Sequence, residues 1–452
     1  MTAPPRVTVV GGGFAGVECA WQLARRGHRV RLVEMRPVRT TDAHATDRLA
    51  EMVCSNSFRS DNPQNAVGLL KREMELVGSL VLEEARKAAV PAGDALAVDR
   101  ALFAEGVTRR VTADRRIELV RAEVGALEEA RAGGGYVVVA TGPLTSETLA
   151  ASLKAALGES YLYFYDAVAP VVEASSLDLS PLFPASRWGK GGGDDYLNVP
   201  LTKAAYEAFV AELLAGEKVP FHDFEKAVYF EGCLPVEAMA ERGIETLRHG
   251  PMKPFGLRDP RTGQEPYAAV QLRQDDLAKT HWNLVGFQTK LKAGEQRRIF
   301  RTLPGLGGAL FVRYGMLHRN TYLNGPAHLD RLFRWKKAPD VFFAGQLTGV
   351  EGYLESAATG LMVGATLAQL LEGREPVPLP FSTALGSLAR HVSTPRDGEY
   401  TPANVTFGLM DDAEIPKLRD KGARREAIVR GALSAVRAWV AEALPAPGET
   451  PR

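Results

Sequence analysis

Two of the three cysteines in this 452-residue chain stand where a thiol could react. Cys233 lies two positions before Pro235, a residue suited to the first turn of a helix running through Met239. The positive end of a helix dipole lowers a thiol pKa and favours the nucleophilic thiolate, so Cys233 is a candidate nucleophile beside the plainer reading of a small buried hydrophobe. Cys54 falls in a polar, aperiodic loop from Arg36 to Pro63 that also holds His44, Asn56 and Arg59, and loops of that length are often functional. Cys19 sits beside Ala20 and Trp21 in a helical stretch and reads as inert core. A second pattern with chemistry in it is Gly11-Gly12-Gly13-Phe14-Ala15-Gly16, followed by Glu34 at the end of the next apolar run. In a dinucleotide-binding turn the first glycine permits the bend, the second lets pyrophosphate approach the backbone, and the third lets helix and strand touch. Glu34 would accept from a ribose hydroxyl, whereas Arg36 and Arg39 leave a 2′-phosphate open as the alternative.

These residues require particular elements to position them. Val7 to Val10, a helix to Arg26, and Arg29 to Glu34 read as a βαβ unit with the glycines at the helix N-terminus, where phosphate binds. A helix is expected from about Asn65 to Ala88 on the spacing of Val67, Leu70, Met74, Val77, Val81 and Ala85. Tyr136 to Ala140 reads as a buried strand ending in Thr141-Gly142, and Asp340 to Ala344 as another ending in Gly345-Gln346, with a late helix from about Glu355 to Leu371. Those two turns fit FAD better than NAD, because the late helix terminus can stabilise charge on a reduced flavin. Gly189-Lys190-Gly191-Gly192-Gly193 leads into Asp194-Asp195-Tyr196 rather than an apolar helix, so no separate NAD(P)H domain is expected. The fold class is therefore α/β, a Rossmann-type FAD-binding domain with an inserted α+β substrate domain. The expected boundaries are 1–160 and 336–372 for the FAD-binding domain, 161–335 for the insertion, 373–444 for a C-terminal helical extension, and 445–452 for a flexible tail.

With these motifs in place, the chain resembles the folate- and FAD-dependent tRNA (uracil-5-)-methyltransferases, relatives of the longer GidA proteins. The segments that carry the resemblance are Gly11 to Gly16, Val53-Cys54-Ser55-Asn56-Ser57-Phe58-Arg59, Tyr229 to Pro235, Arg248 to Pro254, Val270 to Gln274, Tyr314 to Thr321, and Phe343 to Tyr353. Gly191-Gly192-Gly193 and His281-Trp282 depart from the family's pattern. The resemblance implies that 5,10-methylenetetrahydrofolate supplies a one-carbon unit, reduced FAD the electrons, and NADH or NADPH the reductant, with the T-loop uridine of tRNA as target. It implies that the Cys233 thiolate adds to uracil C6, because C5 alone is too weak a nucleophile. Cys54 is implied to be a second catalytic thiol, with protection of the flavin, relay of the methylene, or base catalysis open to it. Candidates for removing the C5 proton are His318, Glu351 and Tyr353, although His318 could contact folate or phosphate, Tyr353 could gate the flavin face, and Glu351 could cap the late helix.

From Gly286 to Lys337 the chain has eleven Lys/Arg against Glu295 and Asp330. Interleaved aromatic residues, Phe300, Phe311, Tyr314, Tyr322 and Trp335, offer faces for an unstacked base, although by itself such a run is as readily a solvated charged face. It is the resemblance that implies a tRNA surface here, with Arg297, Arg298, Arg313 and Arg319 as its contacts. The basic helix from Lys417 to Arg437 could extend it. Net charge is +1 and therefore excludes no partner class by itself. Three cysteines are too few for a disulfide framework, and the longest apolar stretch, Gly360 to Leu371, is too interrupted to span a bilayer. The chain is thus expected to be soluble and cytoplasmic, with neither a metal site nor an obligate protein partner. The alternatives are a GidA-type wobble-uridine enzyme, which calls for a larger C-terminal region, an ordinary small-molecule FAD oxidoreductase, and an RNA-binding module without turnover.

Overall fold

The computed structural model describes residues 6–41, 43–158, 161–220, 234–411 and 418–445. Val7–Val10 (β1) is a short apolar run that glycine ends, and it feeds Phe14–Ala24 (α1) and then Val30–Glu34 (β2). Ile117–Arg121 (β3), Tyr136–Val139 (β4) and Ala338–Phe343 (β5) complete the parallel part of a six-stranded sheet. Its order is Arg334–Trp335, β5, β4, β1, β2, β3, with Val7 level with Val30 on one side and Tyr136 on the other. Because crossover connections cover both faces of such a sheet, its central strands are apolar on both sides, and Val7, Val9, Val137 and Val138 are fully buried. The strand Arg334–Trp335 already belongs to this sheet, and Leu323 and Leu329 pack beneath it, so the first domain resumes ahead of the expected residue 336.

The inserted domain is built on a second six-stranded sheet. Its order is Phe183–Pro184, Tyr196–Leu201, Ala268–Gln274, His281–Leu284, Val171–Glu173, Phe311–Arg313, and each pairing between those strands is antiparallel. A two-stranded antiparallel ribbon, Tyr161–Ala167 with Leu317–Leu323, carries the chain into and out of it. The domain has its own apolar core, around Tyr206, Phe209, Phe287 and Phe300.

The long helix expected from Asn65 to Ala88 is two helices, Ala66–Val77 and Leu80–Lys87. Gly78 takes a left-handed conformation at φ +87° and ends the first, and the Ser79 hydroxyl accepts from the Leu82 amide to start the second. The apolar spacing continues across the break, which is why periodicity alone joined them. C-terminal to the first domain, Lys421–Ala443 is capped by Asp420 and buries Ile428, Val429, Ala432, Val436 and Trp439 on one stripe.

The late helix Tyr353–Leu371 (α2) is the only one among the described residues long and apolar enough to cross a membrane, and 89% of its apolar window is buried in the fold. It lies against α1 at backbone distance. A Cβ on Gly360 would come within 2.0 Å of the Ala15 carbonyl oxygen, and one on Gly364 within 2.8 Å of the Cys19 carbonyl oxygen. Cys19 is buried between them, where burial raises its thiol pKa and keeps it inert, in line with the core role expected of it. Gly360→Ala is expected to force the two helices apart at a cost of about 1–3 kcal/mol, measured as a lower unfolding midpoint in denaturant.

Candidate functional site

At the C-terminal edge of the first sheet, Gly11 turns at φ +106°, and a Cβ there would meet the Ala140 carbonyl oxygen at 2.5 Å. A Cβ on Gly16 would fall 1.8 Å from the Gly11 carbonyl oxygen, so helix and strand touch as the fingerprint requires. Gly13, by contrast, faces open space, and as the N-cap of α1 it leaves the first-turn amides without a side-chain acceptor. Phe14 and Ala15 begin that turn. This cradle fits a pyrophosphate group.

Glu34 is 4% exposed and accepts from the Gly12 amide at 2.7 Å and from Arg36 Nε at 2.8 Å. Burial works to raise its pKa, but the hydrogen bonds and charge of Arg36 together with the Gly12 amide outweigh it and hold the carboxyl below its usual range. Arg36 also binds Glu51, at 3.0 Å, and is itself buried. With its guanidinium engaged by two carboxylates it is not free to receive a 2′-phosphate, and Arg39 is drawn off to Glu123. The alternative that these arginines left open therefore loses its support.

A cavity of about 70 Å³ lies beside this cradle, lined by Gly11, Gly12, Gly13, Glu34, His44 and Thr141 among others. Leu144 lines both it and a larger cavity of about 450 Å³ between the two domains. The two cavities adjoin at Leu144 as one crevice, the narrow end reaching Glu34 and the wide end the start of α2. Gly142 (φ +66°) and Gly345 (φ +81°) mark the turns along it. The Gly345 amide donates to Thr359 at 2.7 Å, and Gln346 lines the wide end.

Cys54 and Tyr353 both line the wide cavity. Tyr353 opens α2 with its ring stacked on Phe14, centroids 4.7 Å apart, and its hydroxyl oxygen accepts from the Cys54 amide at 2.6 Å. Burial first, and the neighbouring Cys54 second, raise the Tyr353 pKa. The group is therefore a neutral hydroxyl near pH 7, suited to hydrogen bonding rather than to service as a base.

The Cys54 loop is gripped from both domains. Arg100 donates to the Met52 and Cys54 carbonyls at 3.0 and 3.3 Å while paired with Asp275, and Arg313 donates to the Val53 and Cys54 carbonyls at 3.4 and 3.3 Å. Arg273 reaches the Asn56 and Ser55 side chains at 2.8 and 2.9 Å. Burial lowers the Arg313 pKa to about 10, which leaves it a cation at neutral pH. Two guanidinium groups thus face the backbone beside the thiol, and Arg313, expected as an RNA contact, spends its donors on the Cys54 loop. Arg100, Asp275 and Arg273 were not singled out by sequence reasoning as site residues. Nothing local marks them, since the two arginines meet the loop, and Asp275 meets Arg100, across large separations in the chain.

The other expected residues are placed as follows. Glu351 lines the wide cavity and accepts from Gln346 Nε2 through both oxygens, at 2.8 and 2.9 Å. The cap position of α2 belongs to Gly352, with no side-chain cap, so Glu351 does not serve there. His318 and Arg319 lie on the ribbon strand Leu317–Leu323, opposite Asp166 and Tyr165. Cys233 lies outside the described residues, and the helix after it runs Val236–Glu241 with Pro235 at its N-cap.

The basic stretch from Gly286 to Lys337 is not one free patch. Arg298 pairs with Glu295 and Glu212, Lys292 with Glu217, Arg334 with Asp330, and Arg301 donates to the Ala309 carbonyl. Arg297 remains exposed and donates to the Tyr314 hydroxyl, whose ring stacks on Phe311 at 5.4 Å. Leu310 and Val312, about half exposed, flank this pair.

Fold and site together define a dinucleotide-binding protein of the doubly wound class, with an inserted sheet domain closing over the wide end of the crevice. A family pattern described as Glucose inhibited division protein A matches residues 6–375. A Geobacter sulfurreducens protein named methylenetetrahydrofolate--tRNA-(uracil-5-)-methyltransferase TrmFO is 54% identical over 435 residues, covering 96% of this chain and 99% of that one. A Bacillus licheniformis protein of the same name is 49% identical over 431 residues, covering 95% and 98%. The chain belongs to the TrmFO branch of the GidA family. A solved structure of Aquifex aeolicus GidA shares the fold, with a TM-score of 0.67 at 16% identity over 95% of this chain and 73% of that one.

Tyr353→Phe removes the acceptor of the Cys54 amide. It is expected to cost about 1–3 kcal/mol of stability, read by denaturant unfolding, and to speed hydrogen exchange at the Cys54 amide.

Proposed function

We propose that this protein methylates C5 of a uridine in tRNA, using methylenetetrahydrofolate as one-carbon donor and FAD as redox cofactor. Near-full-length identity with relatives bearing that enzymatic name carries the reading. The crevice supports it: the glycine cradle would hold the pyrophosphate, Glu34 a ribose hydroxyl, and Gly345, Gln346 and the N-terminus of α2 the flavin ring. When bound, FAD supplies the electrons that make the transferred methylene a methyl.

The chain's own residues then have the following proposed roles. The Cys233 thiolate forms a bond to uracil C6, and the displaced π electrons make C5 an enolate carbon able to attack the methylene. A base must afterwards take the C5 proton. Glu351, a carboxylate in the cavity wall, fits that step better than the neutral Tyr353, and His318 is kept as the other candidate base. Cys54 acts beside the flavin as the second thiol, its loop held by Arg100 and Arg313. The target is the T-loop uridine, and NADH or NADPH is the reductant. Arg297 with the Phe311–Tyr314 stack, together with Arg319 and the exposed Arg425, Arg430 and Arg437, forms the tRNA-facing surface. The reaction and its reductant are compatible with a cytoplasmic protein.

Purified protein given FAD, NADPH, carbon-labelled methylenetetrahydrofolate and unmodified tRNA is expected to yield labelled 5-methyluridine. Label arriving from S-adenosylmethionine instead would contradict the reading. Cys233→Ala is expected to reduce product to background while bound flavin stays at the wild-type level.

A further inference from the structure

Asn283 lies in the inserted-domain wall of the wide cavity, on strand His281–Leu284, level with Arg273 on one side and Val171 on the other. It is 2% exposed, and its Nδ2 is buried with no hydrogen-bond partner among the described residues. The polar side chains beside it offer no free acceptor: Arg273 has donors only, which go to Asn56 and Ser55, and Gln271 Oε1 already accepts from Arg187 Nε at 2.9 Å. A buried amide left unpaired costs about 1–3 kcal/mol, and a strand position among Trp282, Leu284 and Val171 would hold an apolar side chain without that cost. The unpaired amide is therefore a liability to the fold alone. It borders the cavity that also holds Cys54, Tyr353 and Gln288, and a half-turn of its terminal torsion exchanges donor and acceptor at one place.

We propose that Asn283 is a specificity-determining residue that reads the lactam edge, an adjacent carbonyl and ring N–H, of the ring that reacts in this cavity. The inference rests on the function proposed above. A primary amide offers one donor and one acceptor, the complement of a lactam. Three participants in that function carry such an edge: the pterin of the folate donor, the target uracil, and the pyrimidine ring of the flavin itself. The flavin is assigned to the opposite wall, along Gln346 and Tyr353, so the amide addresses what lies against it.

The test compares FAD-loaded wild-type protein with Asn283→Leu and Asn283→Asp. Four quantities are read: flavin content, unfolding midpoint, affinity for tetrahydrofolate from its perturbation of flavin absorbance, and KM for unmodified tRNA. Asn283→Leu removes an unpaired polar group, so its unfolding midpoint is expected to equal or exceed that of the wild type, with flavin content unchanged. A purely structural asparagine would instead lower the midpoint. The ligand-reading role predicts at least about a tenfold loss in one binding arm, larger for Asn283→Asp because its carboxylate opposes the ligand carbonyl. A loss of tetrahydrofolate affinity assigns the edge to the pterin, and a raised KM for tRNA assigns it to the uracil. Wild-type values in both arms, or a loss confined to flavin retention, overturn the inference alone. A wild-type protein that neither binds tetrahydrofolate nor methylates tRNA overturns the functional reading and this inference with it.

Discussion

The close crossing of α1 and α2 is the constraint on which the site depends. Gly360 and Gly364 give α2 no side chain where it meets the carbonyls of Ala15 and Cys19, so the two helices pack backbone to backbone. That contact brings two helix N-termini to one crevice. The start of α1 lies under the glycine cradle, and the start of α2 presents Tyr353 to the wide cavity. Since each N-terminus carries partial positive charge, the same packing favours phosphate at one end and a charged reduced ring at the other. The stacking of Tyr353 on Phe14 ties the two ends together through side chains as well.

The second constraint joins the domains. The loop bearing Cys54 leaves the first domain and is held by an arginine from that domain and by two from the insertion. Around the thiol, Tyr353 engages the Cys54 amide and guanidinium groups engage the carbonyls of residues 52 to 54. A thiol on such a loop is fixed in position, with its Sγ donating to the Ala167 carbonyl at 3.7 Å.

What could be read from the sequence followed the range of the interactions involved. The glycine fingerprint, the strand ending at Glu34 and the late helix are set by neighbours a few residues apart, and each appears where the pattern puts it. The break at Gly78 and Ser79 was hidden because the apolar stripe runs through it. Arg298 illustrates a harder case: its charge counted toward an RNA surface, yet Glu212, far back in the chain, neutralises it. Arg313 likewise reads as one more basic residue until the fold turns it toward Cys54. Asn283 is harder still, since its significance lies in what its neighbours are already bonded to. The thiol expected to attack uracil, Cys233, lies outside the described residues.

The central claim is that a flavin ring occupies the wide cavity between the Cys54 and Tyr353 wall and the Asn283 and Gln288 wall. A crystal structure of the FAD-loaded protein tests it most directly. The account predicts density for the pyrophosphate at Gly11 to Gly16 and for the tricyclic ring beside Cys54 and Tyr353. Ring density outside that cavity, with Cys54 remote from it, would contradict the account.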